Sequence, residues 1–212
     1  MTVSSFSSTL TSYALASQAK WPHVTLPHME VRGLELNSLS NSILVGFAPY
    51  VQLSEMDGWE VYANYQQKWI QEGLEYNYAI HQEYFNGTTD GVADRIHSQI
   101  HHYDDASNPV PETETGPGPF LPVWQLAPAP HDPKAINYNL LANDVFQRVE
   151  YGMQGIKSAV LSEATDVSFL YEGSINDDPT HPHSFLLQPV YEDFGDHNST
   201  QIVGVGTYLN HE

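Results

Sequence analysis

From Trp21 to Gly73 the chain reads WPHVTLPHMEVRGLELNSLSNSILVGFAPYVQLSEMDGWEVYANYQQKWIQEG, and this stretch constrains the fold more than any other. Pro27 is a good first-turn residue, and the segment behind it reads as a helix to about Ser40. Asn41 to Pro49 (NSILVGFAP) is short, apolar and bounded by polar residues or proline, which suits a buried strand. Ser54 with Asp57 three residues on has capping-box spacing. The helix expected after it sets Trp59, Tyr62, Gln66 and Trp69 along one side, with Tyr65 beside them, and stops near Gly73. The block therefore predicts helix, strand, helix.

The remaining segments extend this pattern. Residues 4–19 read as a weakly amphipathic helix whose stripe is Phe6, Leu10, Tyr13 and Ala14, with Leu15 off its centre. Trp21-Pro22 closes it, because a residue before proline is pushed out of the α region. Residues 76–119 read as a less regular insertion, partly extended or helical and then a turn-rich surface loop. Phe120 to Leu126 suits a strand entering the core, closed by Pro128, Pro130 and Pro133. Residues 138–153 suit a helix with the stripe Leu141, Val145, Val149 and Met153. Val167 to Tyr171 is a short strand candidate, followed by a polar loop over 172–183. Ser184–Tyr191 and Gln201–Leu209 form a hairpin with a long acidic loop. The order predicts an α+β domain, with an antiparallel sheet and helices packed against it.

A length of 212 residues suits one domain with a sizeable core. We read 1–20 as a stem helix and 21–212 as the core, with 76–119 inserted into it. Lys and Arg number 7 against 26 Asp and Glu, a formal net charge of −19. The cations are scattered singly, which argues against nucleic acid and against a basic patch for anionic lipid. With no cysteine, disulfides, thiolate catalysis and cysteine-ligated metals are excluded. No apolar run of about 18 residues is present, and the N-terminus has no signal-peptide pattern. Sequons at Asn86 and Asn198 sit among turn residues, where a glycan is tolerated.

Trp21-Pro22, Val24-Thr25, Pro27 and Arg32 form one island of pattern, continued by Pro49, Val51, Trp59-Glu60, Tyr62, Trp69-Ile70 and Glu72-Gly73. Gly118-Pro119-Phe120-Leu121-Pro122-Val123-Trp124-Gln125 forms a second, and His181–Tyr191 with Asn198–Val205 a third. In these islands the chain resembles the extracellular sensor region of receptor-type nucleotide cyclases from diatoms and related algae. The resemblance implies a fold similar to CHASE and PAS-like sensors, with a ligand pocket beside a small antiparallel sheet. It implies a non-catalytic domain on the outer side of the plasma membrane that passes a small-molecule signal to an intracellular guanylate or adenylate cyclase domain. That cyclase domain and the membrane spans are not in this sequence, so any membrane link runs through flanking segments. Helical stems of this sort often pair, so a homodimer fits the resemblance. No cofactor is expected.

A PAS-like pocket would lie between sheet and helices, and Tyr50, Phe120, Trp124, Tyr191 and Tyr208 lie on or beside predicted strands. The same rings would also serve as core. Arg32 is suited to gripping a ligand carboxylate, or to a salt bridge with a local acid. Among 11 histidines, His97 and His101 would share a helix face, and His181 and His183 lie near Asp177 and Asp178. Neither group matches a compact zinc signature, and no metal is expected. A secreted hydrolase or metal-binding protein using these histidines and acids is the alternative class. No G-x-S-x-G elbow is present, and Gly204-Val205-Gly206 lacks the third glycine and the helix of a dinucleotide site.

Overall fold

The computed structural model describes residues 3–80, 96–104, 106–112, 118–130, 133–165, 183–195 and 200–211. Helices α1 (Val3–Ser17) and α2 (Met29–Ser40) precede strand β1 (Leu44–Pro49). Helices α3 (Met56–Tyr65) and α4 (Lys68–Ile80) follow, then the short hairpin β2 (His101–Tyr103) and β3 (Pro109–Pro111). Strand β4 (Gln125–Ala127), helix α5 (Asp144–Ile156) and strands β5 (Val160–Leu161), β6 (His183–Tyr191) and β7 (Ile202–His211) complete the order. The α+β class expected from the sequence is what the chain adopts.

Strands β4-β1-β7-β6-β5 form one five-stranded sheet with every pair antiparallel. Numbered within the sheet by chain order, this is 2-1-5-4-3. β7 is central: its Tyr208 lies opposite Val45 of β1, and its Leu209 opposite Phe185 of β6. Neighbouring residues on a strand point to opposite faces. Tyr208 meets Phe6 of α1 edge-on at 6.2 Å, while Phe185 stacks on Phe146 of α5 at 3.8 Å. Helices therefore cover both faces, and every residue of β1 is buried. Burial on both sides is why these strands read as continuous apolar runs without alternation.

The N-terminal helix follows its predicted stripe. Phe6, Leu10 and Ala14 are buried against the sheet while Leu15 is exposed. It ends at Ser17, before Trp21-Pro22, with Gln18 at φ 57 turning the chain out of the helix. The second helix begins at Met29, two residues after Pro27, because His28 takes a left-handed conformation.

The helix expected from Ser54 to Gly73 is two helices broken at Gln66 and Gln67. Trp59 and Trp69 both contact the Trp124 ring, at 5.3 and 6.0 Å. On one straight helix, positions ten apart would be separated by about 15 Å along the axis. The break folds α4 back so that both rings reach the same partner. It also leaves Tyr65 and Gln66 exposed, off the predicted stripe. The cap lies earlier than Ser54: Glu55 Oε2 accepts the Gln52 N–H at 3.0 Å, at the start of a 3-10 turn.

Of the strand expected over Phe120–Leu126, only its end enters the sheet as β4. Phe120 and Pro122 instead make isolated bridges to Val51 and Asn139. The helix expected from residue 138 starts at Asp144, where Asn143 Oδ1 accepts the N–H of Val145 at 2.9 Å. Phe146, Val149 and Met153 form its buried face, and Leu141 and Val145 are only half-buried. β6 and β7 pair as the predicted hairpin. The strand candidate Val167–Tyr171, the polar loop to residue 182 and both sequons lie outside the described residues. Among the described residues no helix is long and apolar enough to cross a membrane.

Candidate functional site

The six residues expected at a ligand pocket do not converge on one place. Trp124 is fully buried, ringed by Trp59, Tyr62 and Trp69, with its Nε1 donating to Thr25 Oγ1 at 3.0 Å. Tyr208 is buried under α1. Both rings are core. Arg32 is exposed on α2, where its Nε donates to the Pro27 carbonyl at 3.3 Å, and no carboxylate pairs with it among the described residues. Tyr50, Phe120 and Tyr191 lie on the α5 side, and there the chain forms a groove.

The wider part of that groove, about 950 Å³, runs between the β2–β3 hairpin and α5, floored by the Gly118–Phe120 segment. An Asx turn closes the hairpin, with Asp104 Oδ1 accepting the N–H groups of Ala106 at 2.9 Å and Asn108 at 2.8 Å. His102 pairs with Val110, and the Glu112 N–H donates to the Ile100 carbonyl, so His102 and Glu112 are diagonal neighbours on one face. His102 Nδ1 lies 3.3 Å from Glu112 Oε1. The same oxygen accepts Asn139 Nδ2 at 2.9 Å. Asn139 is itself fixed, its Oδ1 accepting the N–H groups of Leu121 at 3.0 Å and Leu141 at 3.2 Å. A carboxylate on Nδ1 favours the Nδ1–H tautomer and leaves Nε2 of His102 as a free acceptor. Arg148, Glu150 and Tyr151 face the groove from α5, and Arg148 is ion-paired with Glu163.

A smaller pocket of about 360 Å³ adjoins it and shares Pro119 and Glu150 with it. Tyr50 hydroxyl donates to Glu150 Oε1 at 2.6 Å and accepts from Gln154 Nε2 at 3.0 Å. Burial, and then the Glu150 carboxylate, hold the Tyr50 phenol well above its ordinary range. Tyr191 hydroxyl donates to the Lys157 carbonyl at 2.6 Å, bracing the end of α5 beside this pocket. Thus Tyr50 and Phe120 line the site, Tyr191 supports it from behind, and Trp124, Tyr208 and Arg32 lie elsewhere.

His97 and His101 are adjacent, ring centroids 4.6 Å apart, although His101 sits on β2 and not on a helix. Burial pushes the His101 imidazole down to about 4, so it is neutral and serves as core. Among the described residues no group of three or more His, Asp or Glu could hold a metal. Asp177, Asp178 and His181 lie outside the described residues. Among its described lining, the wider groove contains no Ser, Thr or Cys for covalent catalysis. His102 could accept a proton, and the amides and carboxylates could orient a polar ligand.

No protein-family model matches this chain, and no curated protein matches it.

Sequence reasoning missed His102, Glu112, Asn139, Arg148, Glu150 and Tyr151. The α5 face that carries Gln147, Arg148, Glu150, Tyr151 and Gln154 reads as polar in the sequence, as any solvated helix face does.

Proposed function

We propose that this chain is an extracellular, non-catalytic ligand-sensing domain. In this reading it belongs to a receptor-type nucleotide cyclase and passes a small-molecule signal to an intracellular cyclase domain. The observation that carries the reading is a groove between the β2–β3 hairpin and α5, on an antiparallel sheet flanked by helices, the architecture that the resemblance implies. Its polar lining is already hydrogen-bonded to neighbours, and a preorganised lining binds without first having to be ordered. The concave, largely apolar space with a few fixed polar groups is what small organic ligands need.

A thermal-shift screen of small molecules tests the binding part. A ligand held only by the folded state at 100 times its Kd adds about 2.7 kcal/mol, a rise in Tm of roughly 5–10 °C for a domain of this size. Chemical change of a bound hit on incubation would count for the alternative, a secreted hydrolase with His102 as base, which the His102–Glu112–Asn139 relay favours. The receptor part predicts that the gene encodes membrane spans and a cyclase domain around this region, and a gene without them removes it.

A further inference from the structure

We propose that the groove takes a cationic organic ligand, an ammonium group carried on an apolar or aromatic body. This rests on the sensing role proposed above and narrows it to one ligand class. Two carboxylates face the space, Glu112 and Glu150. Each is held in place: Glu112 accepts from Asn139 and lies 3.3 Å from His102 Nδ1, and Glu150 accepts from the Tyr50 hydroxyl. Hydrogen bonds fix a carboxylate in place without cancelling its charge. The cation in the groove wall, Arg148, is already committed to Glu163. Lys157 lines the adjoining pocket, which Glu150 shares, and not the wider groove, where Glu112 lies. The wall therefore carries the formal negative charges of Glu112 and Glu150 against one cation, Arg148, which Glu163 already pairs.

The remaining wall is built to hold an organic body. Pro119 and Leu141 supply apolar surface, and Tyr151 is 82% exposed at the rim, where its ring face is open to a cation. The protein as a whole carries a formal charge of −19, which concentrates cations and repels anions. An anionic ligand would have to displace Glu163 from Arg148 and then sit beside Glu112 and Glu150.

Three probes of one shape separate the possibilities: phenethylamine, phenethyl alcohol and phenylacetate, carrying positive, no and negative charge. Binding is measured by calorimetry at pH 8, where an ordinary histidine is neutral, and at low salt, where screening is weak. Phenethylamine is expected to bind at least about tenfold tighter than the alcohol, and phenylacetate weakest. Glu150→Gln and Glu112→Gln are each expected to weaken the amine several-fold and leave the alcohol unchanged. Both keep an acceptor oxygen, and an unchanged melting curve confirms that each variant is folded. Ala142→Trp, at an exposed position in the lining, should block all groove binding.

Equal affinity for amine and alcohol overturns the proposal. So does an amine affinity indifferent to both glutamine variants, or no amine binding up to about 10 mM. A neutral or anionic hit from the wider screen that Ala142→Trp abolishes overturns the charge assignment and leaves the sensing role standing. A screen without any groove-dependent hit removes both.

Discussion

The carboxylate of Glu30, in the first turn of α2, accepts the main-chain N–H of Ala129 just beyond β4, with 2.7 Å between the atoms and 99 residues between the partners. Gly73 of α4 closes over the pair, and a Cβ there would lie 2.7 Å from Ala129 Cβ and 3.0 Å from Glu30 Oε2. One acidic side chain thus joins α2, α4 and the exit of β4. Burial raises its pKa from 4.5 to about 7, against the pull of Asn77 and the Ala129 N–H, which favour the charged form.

A group whose folded-state pKa lies above its unfolded value favours the fold most when protonated. For Glu30 that support is complete below about pH 4.5 and is lost as the pH rises through about 7. The loss amounts to about 3 kcal/mol. Glu30→Gln keeps an oxygen for Ala129 and cannot ionise. Urea denaturation at pH 5 and pH 8 should show the variant gaining on the wild type by about 2–3 kcal/mol at the higher pH. An equal difference at both values refutes the assignment.

Gly33 in α2 packs its Cα against Ala127 of β4, and an added Cβ would collide with the Ala127 Cβ. Helix propensity alone predicts that Gly33→Ala gains about 1 kcal/mol. Overpacking predicts a loss of about 1–3 kcal/mol, and at this contact the collision outweighs propensity. Ala127→Gly in the same chain should recover much of the loss, a coupling above about 1 kcal/mol in a double-mutant cycle. Additive effects would place the strain elsewhere.

Tyr50→Phe removes the hydroxyl that satisfies both Glu150 and Gln154. A cost of about 1–3 kcal/mol in chemical denaturation is expected, because a half-buried carboxylate loses its donor. The same variant should weaken a cationic groove ligand, since Glu150 loses the bond that fixes it. Wild-type stability together with wild-type ligand affinity would show that the hydroxyl does not hold Glu150.

Asn137 is fully buried at φ 66, accepts Trp59 Nε1 at 3.2 Å and donates to the His97 carbonyl at 2.8 Å. Asn137→Ala should cost about 2–4 kcal/mol, combining two unpaired buried groups with a side chain in the left-handed region. Asn137→Gly relieves only the backbone share, so it should cost about 1 kcal/mol less than alanine. Thermal melts of the pair measure the split, and equal melts would assign the whole effect to the side-chain bonds.

What could be read from the residues was whatever repeats. The stripe Phe6, Leu10, Ala14 placed α1, and apolar runs placed β1, β6 and β7. The break at Gln66 could not be read, because it depends on Trp124, a residue distant in sequence that calls both Trp59 and Trp69 to one spot. Aromatic residues near strands suit a ligand pocket and a core equally, and Trp124 and Tyr208 are held by Trp59 and Phe6 within the core. The groove was hidden for the opposite reason. Its polar residues come from the exposed side of α5 and from an irregular hairpin, and periodicity marks only the buried side of an element.

β7 follows the other four strands of the sheet in sequence yet lies at its middle, joining β1 on one side and β6 on the other. A ribosome therefore releases both flanks of the sheet before the strand that unites them. Until residues 202–211 emerge, β1 and β6 each present an open edge where β7 will pair. Pairing Leu44 with Leu209 then demands a contact across most of the chain, which slows folding. Open edges of this kind make a partly synthesised sheet prone to wrong pairing until β7 has joined β1 to β6.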